Sequence, residues 1–427
     1  MSIRFILPLL SALSICMTGA SAYAEDVTFR CAHMYLNQSL PDSTGYTLKR
    51  MKIDTVDIGD SIVVTEPRMA GLRGPNISLL GRDVRLAVID HQTSPQELWH
   101  KGVWNVQRLQ TPCARKNLSW KKSLIRGYYG TIAIETTAGL NNYDPAILHR
   151  TRLIAEGLQV RPYGFMFGVG VASTIATNSD VLEYLPDTRP PVRRDMVNFG
   201  NPLSIDRLYA SWHNTPITDL HVGITGGYLE EMYAGAGAEI IYRPWNKPFW
   251  IGADGWQVWR RKPSMMDLNI SNESHFTGHV RAGYDVPDSR MSFHAAAGKY
   301  LAGDLGGTLG MKYDFPSGMY VDATMTWTDR EEQQGFFSNT KFDPMLRVVV
   351  PLNKNRKANQ HQFRGNFRQV GRDGGQMLSR PMPIEEMTES FGTREVARAW
   401  PALFTTNQND AVGADAIDND GIDIAIP

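Results

Sequence analysis

The sequence has few cysteines, no excess of either charge and almost no long hydrophobic runs, and each shortage excludes a class of protein. Three cysteines in 427 residues are too few for a disulfide-rich scaffold. Forty-four basic and 44 acidic residues leave no net charge, so nucleic acid is not an expected partner. A mean hydropathy of −0.30 excludes a polytopic helical membrane protein. It does not exclude a β-barrel, whose strands alternate apolar and polar residues.

The main apolar run is at the N-terminus, where Arg4 precedes residues 5–17. The run is too short to span a bilayer, and Ala-Tyr-Ala at 22–24 fits the small-x-small rule for signal peptidase. We therefore predict a signal peptide over residues 1–24 that is cleaved after export. A short membrane anchor is the alternative. Cys16 lies within the run and is interpreted as part of it rather than as a lipid attachment site.

Export would leave Cys31 and Cys113 as the only thiols of the mature chain. Two cysteines in an oxidising compartment predict one disulfide, which would close a loop of about 80 residues. The alternative is two unpaired buried thiols. Residues 25–125 show no sustained periodicity beyond short strand-like runs such as 62–64, which predicts a small periplasmic domain.

Residues 126–355 differ, because apolar and polar residues alternate with a period of two through long segments. In 219–228, for example, one face carries Leu220, Val222 and Ile224, and the other carries His221, Gly223 and Thr225. Turn sequences such as Pro-Ser-Gly at 316–318 separate the segments, which predicts consecutive antiparallel hairpins. The predicted strands exceed the usual ~5–6 residues of soluble sheets and suit the ~9–11 residues that cross a bilayer.

Two architectures explain this alternation. A soluble β-sandwich would bury the apolar face, whereas a membrane β-barrel would turn it to lipid and enclose the polar face. Strand length, aromatic residues near the predicted strand ends and many Gly and Ala residues on both faces favour the barrel. The polar residues 356–427, which lose the period, are predicted to form a C-terminal tail.

A family resemblance supports the barrel. The stretch GYLEEMYAGAGAEIIYRP at 227–244 resembles the signature of the YjbH family, and further matches follow in order at 277–279 (TGH), 298–306 (GKYLAGDLG) and 371–376 (GRDGGQ). The resemblance implies an outer-membrane β-barrel linked to exopolysaccharide and group 4 capsule production. The expected fold is therefore all-β, an antiparallel meander transmembrane barrel of about 10–14 strands preceded by the small periplasmic domain.

The candidate site residues lie within these matched motifs. Glu231, Glu239 and Arg243 share one face of the alternating pattern, which in a barrel would be the lumenal face. The complete set of candidate lumen-facing or motif residues is Glu231, Glu239, Arg243, His279, Lys299 and Asp304. The functional interpretation is a charged lumen that contacts a polysaccharide or a plug. The structural interpretation is a network of ion pairs that fills a small barrel.

No catalytic residue, metal site or cofactor is expected, because the sequence has no GxSxG element and no Cys/His metal-ligand spacing. We expect a non-enzymatic outer-membrane protein that takes part in exopolysaccharide or capsule production or secretion. Its expected partners are the polymer, accessory proteins of the same pathway in the periplasm or outer membrane, and outer-membrane lipid. The alternatives are a small-solute channel and an outer-membrane enzyme that modifies glycan or lipid.

Overall fold

The computed structural model describes the central part of the chain most fully. The described residues are 31–38, 46–49, 61–69, 71–74, 76–80, 83, 103–105, 127–140, 147–178, 190–193, 199, 202–245, 247–262, 268–287, 289–331, 341–352, 361–369, 372–389 and 392. The predicted signal peptide, Cys16 and Cys113 lie outside these residues, so the signal peptide and the disulfide stay predictions.

The first six strands form a small sheet in the order β2-β1-β3-β5-β6, with β4 paired to β3. Their bounds are Cys31–Gln38 (β1), Tyr46–Lys49 (β2), Ser61–Met69 (β3), Leu72–Arg73 (β4), Asn76–Leu80 (β5) and Val103–Asn105 (β6). The parallel pair β1 and β3 forms its centre, and the other pairs are antiparallel. The predicted strand-like run at 62–64 lies in β3.

The next thirteen strands close into a barrel. Their bounds are Gly127–Leu140 (β7), Ile147–Val160 (β8), Phe165–Thr177 (β9), Ser204–Ile217 (β10), Leu220–Tyr228 (β11), Tyr233–Tyr242 (β12), Phe249–Arg261 (β13), Ile270–Asp285 (β14), Met291–Lys299 (β15), Leu305–Asp314 (β16), Tyr320–Thr328 (β17), Phe342–Pro351 (β18) and His361–Arg368 (β19). The prediction of an all-β barrel of about 10–14 strands is confirmed.

One strand pair departs from the predicted antiparallel meander. Every strand from β7 to β19 pairs antiparallel with its successor, but β19 closes on β7 in parallel, with His361 opposite Ile132 and Phe367 opposite Ala138. Parallel closure follows from the odd number of strands, because the first and last strands of such a meander run in the same direction. We name the barrel end where β7 begins the near rim and the opposite end the far rim.

The alternation in the sequence separates the two faces of the barrel wall. On β11, His221 and Thr225 are buried inside, whereas Ile224 is 56 % exposed on the outside. On β14, His279 faces inward and Val280 is 67 % exposed. Strand pairing in register keeps this division around the wall, since a shift by one residue would exchange the faces. The outer surface is therefore apolar and the lumen is polar.

The chain after β19 turns back into the lumen. Residues 372–389, which we name the lumenal segment, contact the wall from the far rim to the near rim and end in one helical turn, Ile384–Met387 (α1). The predicted boundary at 355 is therefore wrong, because β19 lies beyond it. Part of the predicted tail, residues 372–389, also packs inside the barrel. The segment lacks the period of two since it is not a strand, and it is polar because the lumen is.

The N-terminal sheet touches the barrel at the near rim. Leu72, at the tip of the β3–β4 hairpin, is fully buried in an apolar cluster. Its other members are Leu158, Val160, Met166, Ile241, Trp250, Ile384 and Met387. The hairpin tip, the wall and α1 thus share one small core. Among the described residues, no helix is long and apolar enough to cross a membrane.

Gly71 places the hairpin tip against the wall. Its φ of +93° lies in the left-handed region, and a Cβ there would come within 2.3 Å of the His213 carbonyl oxygen and 2.6 Å of the Gly164 Cα. Gly303 has a similar φ of +83°, but the nearest heavy atom to its Cβ position is the Lys299 Cε at 3.9 Å. A substitution at either glycine would strain the backbone, but only a substitution at Gly71 would also overlap with neighbouring atoms.

We predict that Gly71→Ala loosens the contact between the sheet and the barrel and Gly303→Ala does not. Both changes cost about 1–2 kcal/mol of backbone strain. Only Gly71→Ala adds an overlap of about 1–3 kcal/mol. The rate at which thermolysin removes the N-terminal sheet from the purified protein measures the contact. Equal rates for the two variants would show that close packing at Gly71 does not hold the hairpin tip.

Candidate functional site

The lumen retains a cavity of about 580 Å³ between the wall and the lumenal segment. Arginine, lysine and carboxylate side chains from most of the barrel strands line it, together with the charged side chains of the segment. Buried charges need partners, since each loses its hydration in the interior. The arrangement of these charges is therefore the candidate site, and it is described from the far rim to the near rim.

At the far rim, Asp373 anchors the lumenal segment. It is fully buried and its Oδ1 accepts backbone N–H bonds from Val192 and Arg193 at 2.9 and 2.7 Å. Its Oδ2 accepts a bond from Arg330 at 3.2 Å. The next contact down the segment is Gly375 N–H, which donates to Asp304 Oδ2 at 2.8 Å. The GRDGGQ motif that the sequence analysis placed in a tail is therefore the start of the segment's attachment.

Glu230, in the turn after β11, connects the far rim to the segment. Its Oε1 lies 2.7 Å from Arg193 Nη1, and its Oε2 accepts a bond from the Ser379 backbone N–H at 2.8 Å. Burial opposes the charged form of Arg193, but Glu230 outweighs this effect and raises the pKa of Arg193 above its usual value. Arg193 therefore keeps its positive charge beside Glu230.

In the middle of the lumen, Arg380 of the segment lies among three carboxylates. It forms ion pairs with Glu239 of β12 and Glu385 of α1, and lies 3.8 Å from Asp254 of β13. Glu239 also accepts the Ile384 backbone N–H at 3.1 Å, so one carboxylate holds both Arg380 and the start of α1. Arg281 of β14 pairs with Asp254 and completes this cluster. All of these side chains are largely buried.

At the near rim, three wall cations contact α1 and the residues after it. Arg243 donates to the Glu385 carbonyl oxygen at 3.1 Å. Lys312 of β16 donates to both carboxylate oxygens of Glu389 at 2.7 Å. Arg347 of β18 lies 3.8 Å from Glu386. Beside these ion pairs, Ile384 and Met387 pack into the apolar cluster that contains Leu72.

A second charge cluster lies on the wall itself. Arg150 of β8 holds Glu231 with its two Nη atoms at 2.9 and 2.6 Å. Arg152 on the same strand reaches Asp206 at 2.9 Å and Glu231 at 3.1 Å, and also pairs with Glu135. This cluster joins β7, β8, β10 and the β11–β12 turn across the inside of the barrel. It fixes the wall rather than the segment.

The structure brings five of the six predicted site residues to the lumen or its rim. Glu239 and His279 face inward, Arg243 follows β12 at the near rim, and Glu231 and Asp304 lie in far-rim turns and point inward. Glu231 differs from the prediction only in being part of a turn. His279 lies 3.6 Å from Asp254 and packs edge-on against Tyr300, with ring centroids 4.8 Å apart.

Lys299, a motif residue that flanks the Gly-rich β15–β16 turn, is the exception, because it lies outside the lumen. It ends β15 on the same outward face as Phe293, and its side chain is exposed. A cation can occupy that face because the position is at the far rim, where an outward lysine reaches polar surroundings. Of the predicted cysteine pair, Cys31 begins β1, but its side chain and all of Cys113 lie outside the described residues.

Three arginines of the lumen, Arg380, Arg150 and Arg152, are not among the residues that the sequence predicts. Arg380 lies in the predicted C-terminal tail, where no pattern in the sequence indicates burial. The two β8 arginines had a signal, since they sit two residues apart on one face of a strand whose other face carries Leu153. Among the residues the structure describes, no three His, Cys, Asp or Glu side chains are placed to hold a metal ion. The charges of the wall can bind a charged segment inside the lumen through ion pairs.

We predict that Arg380→Ala detaches the lumenal segment, whereas Lys299→Ala does not. Loss of Arg380 leaves Glu239, Glu385 and Asp254 close together without their shared cation, which costs about 3–5 kcal/mol. Thermolysin cleavage within 372–389, mapped by mass spectrometry, measures the detachment. Lys299→Ala removes an exposed cation outside the lumen and serves as the control. Unchanged protection in Arg380→Ala would mean that other contacts hold the segment.

Comparisons with known proteins place this architecture in a family. A family described as "Exopolysaccharide biosynthesis protein YbjH" (YjbH) matches residues 133–390, more than half of the chain. An "Uncharacterized lipoprotein YjbH" of Escherichia coli (strain K12) is 33 % identical over 221 residues, which cover 50 % of this chain. The match spans 30 % of that relative's length.

Among solved structures, Salmonella typhi OmpF in complex with daunomycin aligns with a TM-score of 0.32 and 10 % identity, over 55 % of this chain and 88 % of that chain. A similarity this low carries no argument about the fold or the site. The family match, which includes β8 to β19 and the lumenal segment through α1, is the informative comparison. The chain belongs to the YjbH family of exopolysaccharide biosynthesis proteins.

Proposed function

We propose that this protein is a non-enzymatic outer-membrane β-barrel that takes part in the production or secretion of an exopolysaccharide or capsule polymer. The observation that carries the proposal is a closed barrel, apolar outside and charged inside, whose lumen holds a segment of the same chain. Family membership supports the link to exopolysaccharide production. The apolar run at the N-terminus supports export across the inner membrane.

The outer surface supports the membrane location. Large apolar side chains are exposed on most of the barrel strands, among them Ile134, Leu153, Ile224, Val280 and Leu309. A water-soluble barrel would have to leave this continuous apolar surface in contact with water, at a high cost in free energy. Lipid removes that cost. Outer-membrane lipid is therefore a proposed partner of the outer face.

The lumenal segment limits what the barrel does with a polymer. A barrel of this strand number has an interior largely filled by side chains. Here the segment fills it further and leaves about 580 Å³. We propose a gated or accessory role rather than a permanently open pore. Its proposed partners are the polymer and accessory proteins of the same pathway in the periplasm or outer membrane, and it needs no cofactor.

If the barrel lies in a membrane, the cost of a charged residue on its outer face depends on the depth of that residue in the bilayer. Val280 lies midway along the outer face of β14, between Phe276 and Tyr284, whereas Leu305 begins β16 at the far rim. We predict that Val280→Arg lowers the folded fraction in the outer membrane, because a mid-bilayer arginine costs about 2–4 kcal/mol. Leu305→Arg should cost only about 0–1 kcal/mol near the interface. Heat-modifiable mobility of outer-membrane fractions measures the folded fraction.

A soluble periplasmic protein would give no heat-modifiable band in that fraction for the unchanged chain, and this result would contradict the membrane location. An equal loss of folded protein in both variants would also count against it. In that case the cost would reflect general surface disruption rather than depth in a bilayer.

The role in polymer production is tested by deletion. Cells that lack the protein should show altered exopolysaccharide when the polymer is measured in the medium, on the cell surface and in the periplasm. Polymer retained in the periplasm would support a role in secretion, and a loss from all three places would support a role in production. An unchanged amount and distribution would contradict the proposed function. The intact chain supplied from a plasmid is the control.

A small-solute channel is the second candidate, and the residual cavity with its charged side chains is the observation that favours it. Ion conductance in planar bilayers, combined with an unchanged polymer distribution in the deletion strain, would place this function first. Conductance that appears only in Arg380→Ala would instead support a gate formed by the lumenal segment.

A further inference from the structure

Three neighbouring strands place two cations around one aromatic ring inside the near rim. Lys312 of β16 lies with its Nζ 4.8 Å from the centroid of the Tyr320 ring. Arg347 of β18 lies with its Cζ 5.7 Å from the same centroid. Tyr320 begins β17 between those two strands and is itself buried. Cation–π attraction therefore favours positions of both cations near the ring.

The chain supplies its own ligands to this pair of cations. Glu389 accepts bonds from Lys312 with both carboxylate oxygens at 2.7 Å, and Glu386 lies 3.8 Å from Arg347. Lys312 also has a wall partner, Asp314 at 3.4 Å. Glu386 belongs to α1 and Glu389 lies two residues beyond it, so both leave the cations if the end of the segment moves.

These near-rim contacts are more exposed to solvent than the contacts deeper in the lumen. The side chains of Glu386 and Glu389 are 38 % and 25 % exposed, whereas those of Arg380 and Glu239 are 7 % and 5 % exposed. An ion pair in contact with water contributes little to stability, since water screens it and replaces its partners. A carboxylate from outside the chain competes best at these contacts.

The cavity beside the pair has room for such a ligand. Lys312, Tyr320 and Arg347 line the 580 Å³ space together with Glu386 and Glu389. Sites that enclose small organic ligands typically measure about 300–1,000 Å³. One or two sugar units with a carboxylate therefore fit the size, and two cations on a rigid wall fit the charge.

We propose that Lys312 and Arg347, held by Tyr320, form a binding site for the carboxylates of an acidic polysaccharide, and that Glu386 and Glu389 occupy this site as an intramolecular substitute. The polymer displaces the end of the lumenal segment and thereby loosens the closed near rim. The biological identity of the ligand rests on the proposed function. The site's preference for carboxylate-bearing sugars over neutral ones does not.

The experiment measures binding of a chemically defined probe to the purified full-length protein in detergent. The probe is an oligogalacturonate of about four to six units, and maltohexaose is its neutral counterpart. Isothermal titration calorimetry gives the dissociation constants. Glu389→Gln should tighten oligogalacturonate binding about three- to tenfold, because the competing carboxylate is removed and the cation stays. Maltohexaose binding should not change.

A matched control comes from the far rim. Glu331 also pairs with a lysine, Lys341, at 3.7 Å, but it lies at the barrel end opposite to the site and is exposed. Glu331→Gln should leave oligogalacturonate binding unchanged. Lys312→Gln added to Glu389→Gln should remove the gain in affinity. Heat-modifiable mobility of each variant confirms that its barrel is folded.

Each other result overturns the proposal. Equal effects of Glu389→Gln and Glu331→Gln would show a general charge effect, and a gain for maltohexaose would show that carboxylates are not recognised. No oligogalacturonate binding to any variant would show that the site does not exist. These outcomes are separate from the test of the proposed function, since unchanged polymer in the deletion strain leaves an in vitro carboxylate site intact.

Discussion

The packing of the lumenal segment inside this barrel depends on one buried cation, Arg380, which lies among Glu239, Glu385 and Asp254 in the middle of the lumen. Without the segment, Glu239 would lose its ion pair with Arg380, and Asp254 would keep its wall partner Arg281. With it, Arg380 links Glu239 of the wall to Glu385 of the segment, and all three side chains are largely buried. The lumenal segment and the wall are therefore complementary parts of one electrostatic structure.

The number of strands determines the rim at which the lumenal segment begins. Thirteen strands bring the chain to the far rim at the end of β19, and the lumenal segment returns it to the near rim. Its return places α1 against Leu72, which arrives at the same rim from the N-terminal sheet. One part of the chain that precedes the barrel strands and one that follows them thus pack in the same apolar cluster. The odd strand count, the parallel β19–β7 pair and the closed near rim are connected features.

The sequence predicted what depends on periodicity and missed what depends on the fold of non-periodic residues. Alternation assigned Ile224 outward and His221 inward, and the family motifs located Glu239, Arg243 and His279 at the lumen. Lys299, another motif residue, lies on the outward face, since a strand end at the rim tolerates an outward cation. Arg380 was not found, since a polar stretch without a period looks the same whether water or a charged lumen surrounds it. Arg380 and Glu239 are 141 residues apart in sequence, and Arg243 and Glu385 are 142 residues apart. A local sequence pattern cannot predict contacts over such separations.

The contacts of the lumenal segment are graded along the barrel axis, and the gradient gives its release a direction. Asp373 at the far rim is fully buried with three donors, Arg380 in the middle is nearly buried, and Glu386 and Glu389 at the near rim are partly exposed. The attraction within an ion pair grows as water is excluded. Separating a buried pair therefore costs more than separating an exposed one, because each charge is left buried without its partner. Movement of the segment therefore costs least when it begins at the near rim. There it would also disturb the packing of Ile384 and Met387 on Leu72, which couples the segment to the N-terminal sheet. A ligand that acts on Lys312 and Arg347 acts on the least strongly held part of the closed structure.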